Sequence, residues 1–348
     1  MWEMAHGQRL IRSTACCSAK GEAMFSSLIV AYLFAGGMGG GATMVLGVLC
    51  LMSFSRGRSL ASVETVLYAS EPRRVIPASL PSCRVLARSF GAASVALLAG
   101  ISCLVLDVGR ADRMLDLFVP RLTFLTFGAY ALAACLLIAL IVGSLWGFPW
   151  RSVRTTLFVA LHALAIVAGL AVVLYASILL ASMPAVPLWH SPWLVVLFAL
   201  SSLSCGLALV LGVVHVSGRT SDVSCVRALS GIDMVFLALE GAACLLLALG
   251  GFAASASGSN GTEVALAASL ETLLFGDGSW VFWLGFVAVG LCGAIVADFT
   301  VVLRPDNNVV GLTASACVMV GGFVLRWCVV AAATHPFIME SLMAFGAG

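Results

Sequence analysis

Long apolar runs, separated by short polar segments, dominate this sequence. The runs are about 20 to 30 residues long, enough for α-helices to cross a hydrocarbon layer of about 30 Å. Transmembrane β-strands would instead show alternating segments of about ten residues, and the sequence contains none. The pattern therefore predicts an all-α integral membrane protein, a bundle of about eight transmembrane helices near residues 25–54, 89–107, 121–148, 153–182, 192–216, 229–254, 279–303 and 309–333.

The polar segments at the two ends define the domain organisation. Residues 1–24 form a polar N-terminal tail, residues 25–333 an eight-helix transmembrane domain and residues 334–348 a C-terminal tail. The N-terminal tail lacks the apolar stretch of a cleavable signal peptide. Because Met24 directly precedes the first apolar run, one hypothesis is that translation starts there and that residues 1–23 are not made.

Two connections between the apolar runs are longer than the others. Residues 55–88 contain several prolines, which predict a loop with a short interfacial helix near residues 60–69. Residues 255–278 are rich in serine, glycine and acidic side chains. They are predicted to form a polar loop.

Basic side chains are distributed unequally between the two ends of the predicted bundle. One end has eleven arginines in its loops, whereas the other has six basic residues. Cytoplasmic loops of membrane proteins carry an excess of lysine and arginine. The richer end is therefore predicted to be cytoplasmic and both termini extracytoplasmic. The richer end has Arg56, Arg58, Arg73, Arg74, Arg84, Arg88, Arg151, Arg154, Arg219, Arg227 and Arg304.

The composition excludes a soluble domain and limits the cofactors. Hydrophobic residues make up 61% and charged residues 10% of the chain, and the mean hydropathy is +1.11, whereas soluble domains have about 45–50% apolar and about 25% charged residues. The twelve cysteines are scattered, so we expect no iron–sulfur cluster or structural zinc in this chain. His162 falls near mid-membrane and His215 at a helix end, and this mismatch in depth predicts no bis-histidine haem.

Four charged residues fall within the predicted helices and away from their end residues, namely Asp233, Glu240, Asp298 and Arg326. Ionisable groups at membrane depth are costly and usually functional. Glu240 and Arg326 are therefore candidates for a proton path, with Glu240 as a candidate catalytic group. A structural pair in which the two neutralise each other explains the same residues, and the sequence leaves both interpretations open.

Polar side chains collect near the predicted outer ends of the helices. Phenol, imidazole and guanidinium groups suit the two oxygens of a quinone headgroup, and a histidine or carboxylate moves protons to the aqueous side. These residues are candidates for a quinone site in which Asp107 and His190 have catalytic roles. An aromatic belt with snorkelling arginines is the alternative. The candidates are Tyr32, Asp107, Arg110, Tyr130, Tyr175 and His190.

A run of glycines lies within the first apolar segment, from Gly36 to Gly41. Its spacing mimics a nucleotide-binding loop, but such a loop follows a β-strand, and this run lies inside a long apolar helix. Small residues in membrane helices let neighbouring backbones approach closely. We therefore interpret the run as a helix-packing surface.

Several motifs follow one another in a characteristic order over residues 25–333. In this order and spacing they resemble the membrane subunit of polysulfide reductase, a family often called NrfD-like. The motifs are the glycine-rich segment Tyr32–Ala42, Asp107-Val-Gly-Arg110, the helix end at Tyr175, the loop Pro187-Leu-Trp-His-Ser-Pro192, Asp233 with Glu240, Phe282-Trp283, and Gly321-Gly322 followed by Arg326.

The resemblance implies a particular role for the chain. Such proteins are multi-pass anchors in the bacterial cytoplasmic membrane that bind menaquinone or menaquinol near the outer surface and carry no haem or metal. They exchange electrons with a four-cluster ferredoxin-like iron–sulfur subunit, which serves a molybdopterin catalytic subunit in anaerobic respiration. Here Ala111 and the segment Thr123–Tyr130 depart from the family pattern, so the pocket is expected to differ at the third helix.

Two other functions stay open from the sequence. A small-solute or ion transporter would use Glu240 and Arg326 to line its pathway, although neither broken helices nor inverted repeats are evident. A purely structural anchor without quinone turnover is the third. We predict a quinol-oxidising membrane subunit of a multi-subunit oxidoreductase.

Overall fold

Eight helices of the computed structural model are long and apolar enough to cross a membrane. The structure describes residues 27–56, 82–108, 124–148, 155–182, 187–217, 223–257, 261–276 and 278–332. Within these residues it confirms the all-α class and the number of predicted spans. The predicted interfacial helix near residues 60–69, both tails and Arg110 lie outside the described residues.

The helices keep close to the bounds that the hydropathy predicts. The second begins six residues earlier than predicted, at Cys83 instead of residue 89. The fifth and seventh spans have the predicted bounds. The long helices are α1 Ser27–Arg56, α2 Cys83–Val108, α3 Phe124–Gly147, α4 Thr155–Ala181, α5 Pro192–Val216, α6 Val223–Ser257, α8 Ser279–Leu303 and α9 Asn308–Ala332.

The prediction of a polar loop over residues 255–278 is wrong. This segment holds a further helix, α7 Gly261–Phe275, which at 15 residues is too short to span a membrane. Its Leu270 and Leu273 side chains are buried, and Leu270 packs on Gly251 of α6. The helix is mostly apolar, but it is short and follows a polar stretch, so the sequence shows no apolar run of the length of a membrane span there.

Two further elements are irregular. A 3₁₀ turn, Pro187–His190, precedes α5. Helix α8 begins as a single α-turn, continues as a π-helix over Phe282–Gly293 and returns to α-helix over Ala294–Leu303. Neither the 3₁₀ turn nor the π-helix is predicted from the sequence, because hydropathy does not distinguish one kind of helix from another.

Consecutive long helices run antiparallel. Gly36, early in α1, lies against Gly100, late in α2, and a Cβ added to Gly100 would lie 2.9 Å from the Gly36 nitrogen. The rings of Phe34 in α1 and Phe323 in α9 meet edge to face, with centroids 5.5 Å apart. We call the end of the bundle at which α1 begins the N face and the other end the far face. Helix α9 ends at the N face.

Helix α1 lies at the centre of the bundle because its glycines admit neighbours on several sides. Gly39 faces α2, Gly40 faces α4 and Gly41 faces the backbone of α5, and a Cβ at any of them would meet these neighbours at contact distances too short for real atoms. The structure thus confirms the packing interpretation of the glycine run.

Candidate functional site

Two buried tyrosines meet near the N face. Tyr32 lies in the second turn of α1 and Tyr175 in the second-last turn of α4, and their side chains are 2% and 3% exposed. The phenols interact with each other, but neither hydroxyl meets the geometry of a hydrogen bond with any described group. Buried polar atoms nearly always have partners, so this pair of hydroxyls is a place where a polar ligand atom or a water fits.

Helix α3 supplies the wall beside Tyr175. The Tyr175 ring lies directly against the backbone of Gly128, where any Cβ would overlap it. The neighbouring Phe127 ring lies 6.3 Å from the Tyr175 ring, measured between centroids, at 60°. The absence of a side chain at Gly128 therefore makes room for the Tyr175 ring between α3 and α4.

The other predicted quinone ligands lie more openly. Asp107 is partly exposed in the last turn of α2, and His190 is exposed on the 3₁₀ turn. Tyr130 is 44% exposed and, two residues after Gly128, points away from Tyr175 because side chains two apart on a helix do not share a face. The structure thus brings Tyr32 and Tyr175 together and leaves Tyr130 and His190 at the surface of the described bundle.

Arg326 of α9 is a completely enclosed cation in the middle of the bundle. It is 1% exposed, and it donates hydrogen bonds to Ser201 Oγ at 3.1 Å, Ser202 Oγ at 2.7 Å and the Gly322 carbonyl at 2.8 Å. Its guanidinium also lies over the rings of Phe34 and Phe198, 5.8 and 5.5 Å from their centroids. Neutral groups and aromatic faces together solvate this charge.

Glu240 of α6 lies beside the same group. It is 3% exposed, interacts electrostatically with Arg326 and contacts the Ser201 hydroxyl. Ser201 accepts from Arg326, so its own hydrogen is available to the carboxylate, and one serine bridges the two charges. The geometry agrees with both interpretations of the pair, a structural one and a proton path.

A pair of carboxyl groups lies deeper toward the far face. Asp233 of α6 and Asp298 of α8, each 1% exposed, are in contact. Ser204 Oγ donates to Asp233 at 2.8 Å. Ser230 lies beside Asp298, and neither its hydroxyl nor Asp298 Oδ2 has a hydrogen-bond partner among the described groups. Two carboxyl groups in contact at this depth are stable only when a proton or another cation reduces their charge.

The buried polar groups line up along α5 and α6, and we call this row of side chains the seam. Helix α5 contributes Ser201, Ser202 and Ser204, all fully enclosed. Helix α6 contributes Ser230, Asp233 and Glu240, whose spacing of three or seven residues places them on one face, and all three are buried. The ionisable members are candidates from the sequence, but the serines are not, although they form a visible cluster of small polar residues halfway along an otherwise apolar helix.

The histidines and cysteines have structural surroundings. His162 accepts from Trp146 Nε1 at 3.2 Å and donates its other ring nitrogen to the Phe158 carbonyl at 2.8 Å, so both nitrogens are engaged. His215 donates to Leu211 at 2.8 Å and packs on Gly311. Across the described ranges the cysteines are free thiols, and no three or more potential ligands gather where they could hold a metal ion.

Eight apolar helices of span length define an integral membrane protein, and the described part of its bundle encloses several ionisable groups. The sequence matches the family model of polysulphide reductase NrfD over residues 18–337, nearly its full length, and the chain belongs to this family. Members of the family are membrane subunits of oxidoreductases. Comparison with curated protein sequences finds no match.

Proposed function

We propose that this chain is the quinone- and quinol-binding membrane anchor of an anaerobic respiratory oxidoreductase of the molybdopterin type. It exchanges electrons between menaquinol and an iron–sulfur partner subunit. The observation that carries this proposal is the Tyr32–Tyr175 pair, because neither of its two enclosed hydroxyls meets the geometry of a hydrogen bond with a group that the structure describes.

The residues around this pair fit a quinone headgroup. Quinone oxygens accept hydrogen bonds, and a quinol hydroxyl both donates and accepts, so two adjacent phenols satisfy either form. Leu132 lies beside Tyr32 at Gly36, and with the Phe127 ring it supplies the apolar surroundings expected for a lipid-soluble ring. In its quinol form the ligand supplies the electrons that the partner accepts.

Protons released at this site need a route to water. Asp107 and His190 are at the N-face ends of their elements, where a carboxylate and an imidazole pass protons to the aqueous phase. Arg110 follows Asp107 in the sequence and is proposed to orient the headgroup, together with Tyr130. In this arrangement the proton acceptors lie at the surface and the hydrogen-bond donors to the headgroup lie inside.

Glu240 and Arg326 belong to a second, deeper proton path. Along α6, Glu240 and Asp233 are seven residues apart, about 10 Å at the rise of an α-helix. The Ser201 and Ser204 hydroxyls lie between them on α5. Carboxyl groups joined by hydroxyls are the side-chain types from which proton relays in membranes are built.

We place the N face on the extracytoplasmic side of a bacterial cytoplasmic membrane. The excess of arginines in the loops of the far face supports this orientation. The iron–sulfur subunit would then dock at the N face, close to the tyrosine pair, and would in turn deliver electrons to a molybdopterin catalytic subunit.

An ion or small-solute transporter is the second candidate. The observation that favours it is the buried seam of Ser, Asp and Glu side chains, which extends well below the tyrosine pair. Such a protein would move its solute in vesicles that contain neither quinol nor partner subunits, whereas the proposed anchor would not.

The test is menaquinol-dependent reduction of the iron–sulfur clusters in the purified complex. Replacing Tyr175 by Phe removes one hydroxyl without opening a cavity, and we expect the rate to fall roughly tenfold for one lost hydrogen bond. Combining it with His190→Ala should lower the rate further, because proton release is then also impaired. Both variants should retain the thermal stability of the wild type.

The matched control is Thr313→Val, which removes a hydroxyl from an exposed position of α9 near the far face. It should leave the rate unchanged. An unchanged rate in Tyr175→Phe combined with His190→Ala would show that the pocket is wrong, even if other parts of the family assignment hold.

A further inference from the structure

An open groove of about 670 Å³ lies at the far face, between the start of α6, the end of α8 and the start of α9. It is distant from the tyrosine pair, which is at the other end of the bundle. Arg227 and Arg304 line it, together with the apolar side chains of Leu303 and Val309. Its position at a helix end places it at the height of the lipid headgroups.

The turn that forms the floor of this groove is held in one conformation. The Arg304 N–H donates to the Thr300 carbonyl at 2.8 Å and completes α8. Asn307 Oδ1 then accepts from the N–H groups of Val309 and Val310 at 3.2 and 3.4 Å, which caps the start of α9. The groove is therefore built by a structured connection between two membrane helices.

Arg227 is oriented for binding an anion. Its Nε donates to the Val302 carbonyl at 2.9 Å, so the guanidinium is anchored at the wall of the groove that it lines, and its two terminal nitrogens make no hydrogen bond among the described residues. Arginine binds phosphate through such paired donors. The anchor also reduces the side-chain entropy that binding would otherwise cost.

Arg304 adds a second cation to the same groove. Among the described residues its guanidinium makes no hydrogen bond or ion pair, and the same is true of Asp306, which also lines the groove. Two arginines against one aspartate leave the site positively charged. An anionic ligand with more than one oxygen is the complement of this charge.

Exposed apolar side chains continue from the groove toward the membrane interior. Leu303 is 63% exposed, Val309 70% and Phe299 52%. In a membrane these side chains face acyl chains. A free phosphate ion would use the arginines alone, whereas a phospholipid would use both the arginines and this apolar strip.

We propose that the groove binds the phosphate headgroup of an anionic phospholipid from the adjacent leaflet. Arg227 and Arg304 hold the phosphate, and the acyl chains lie along Leu303, Val309 and Phe299. Basic pockets between membrane helices are the sites at which such lipids are recognised. This lipid site is separate from the proposed quinone site, and the two proposals are independent of each other.

The experiment is native mass spectrometry of the full chain equilibrated with equal amounts of phosphatidylglycerol and phosphatidylcholine. The wild type should retain phosphatidylglycerol in preference. Replacing both Arg227 and Arg304 by Gln should lower this preference roughly tenfold, because the groove then loses the two cations that hold the phosphate. Arg84→Gln is the matched control, an exposed arginine at the far-face end of α2, and should leave the preference unchanged.

Two further measurements separate loss of lipid binding from loss of folding, and lipid binding from binding of free phosphate. Thermal unfolding reports whether the double variant folds, and if it does not, Arg304→Gln alone should still lower the preference several-fold. Excess inorganic phosphate should not displace the lipid, because it cannot use the apolar strip. Equal retention of the two lipids by the wild type, an unchanged preference in folded variants, or complete displacement by phosphate would each overturn the proposal.

Discussion

At the scale of single residues, Arg326 shows how the bundle holds a charge. Its hydrogen bonds reach two serines of α5 and a carbonyl of its own helix, and Glu240 joins it through Ser201. Removing one member of a buried charged pair costs about 3–5 kcal/mol because the other is left uncompensated. Removing both charges leaves no uncompensated charge inside the bundle. The effects of replacing Arg326 and of replacing Glu240 are therefore expected to depend on each other.

We predict that Arg326→Met lowers the free energy of unfolding by about 3–5 kcal/mol. Arg326→Met combined with Glu240→Gln should cost less than the sum of the two single changes, because no isolated charge remains. Denaturant unfolding in mixed micelles measures all three. Val320→Met on the exposed side of α9 is the control. Additive costs would show that the two charges do not interact.

Residue types alone do not show which side of a helix faces the candidate site, and α3 is an example. Position 130 is a tyrosine near an interface, so the sequence made it a quinone candidate, yet the structure has Gly128 facing Tyr175. A helix that is apolar all round carries no periodic signal that fixes its rotation. Residue types therefore predicted the Tyr32–Tyr175 pair, but only packing could show which side of α3 faces it.

At the scale of elements, α1 and α5 cross at backbone contact. Gly41 and Gly206 face each other there, and a Cβ on Gly206 would overlap the backbone of Gly41 and Ala42. This crossing aligns the serines of α5 with Arg326. A change at the crossing should therefore disturb both the stability and the seam.

We predict that Gly206→Ala destabilises the protein by about 1–3 kcal/mol or more, as overpacking does. Gly231→Ala on α6 is the matched control, since no described atom lies within 4 Å of the position that its Cβ would take. A mid-helix alanine there should be neutral or stabilise by about 0.5–1 kcal/mol. Thermal unfolding in detergent compares the two, and equal effects would contradict the packing role of Gly206.

Hydropathy predicted the elements of this protein well because the bilayer requires long apolar helices. It failed at α7, a mostly apolar helix whose 15 residues are too few to give the signal of a membrane span, and at the π-helical part of α8. Both features depend on contacts between helices rather than on transfer into lipid. The seam of α5 and α6 lies between these cases. Its serines are visible in the sequence, but the hydrogen bonds of Ser201 and Ser202 with Arg326, and of Ser204 with Asp233, are not.

At the scale of the whole molecule, direction in the membrane links the two proposed sites. The tyrosine pair is near the N face, whereas the arginine groove is at the far face. Antiparallel packing of the eight spans places the start of α1 and the end of α9 together at the N face. If the far face is cytoplasmic, the quinol site opens outward and the lipid groove meets the leaflet on the inner side.

Reporter fusions test this direction in cells. We predict that alkaline phosphatase fused after residue 348 is active, and that a fluorescent protein fused there and exported unfolded stays dark, because the C-terminus is extracytoplasmic. Truncation after residue 218, between α5 and α6, should reverse both results, since that connection belongs to the arginine-rich end. Exchanging Arg84 and Arg88 for Gln in the full chain should leave its result unchanged, because nine arginines then remain at that end against six basic residues at the other. Active phosphatase at residue 218 and inactive phosphatase at residue 348 would place the tyrosine pair on the cytoplasmic side, and the iron–sulfur partner would then have to dock there.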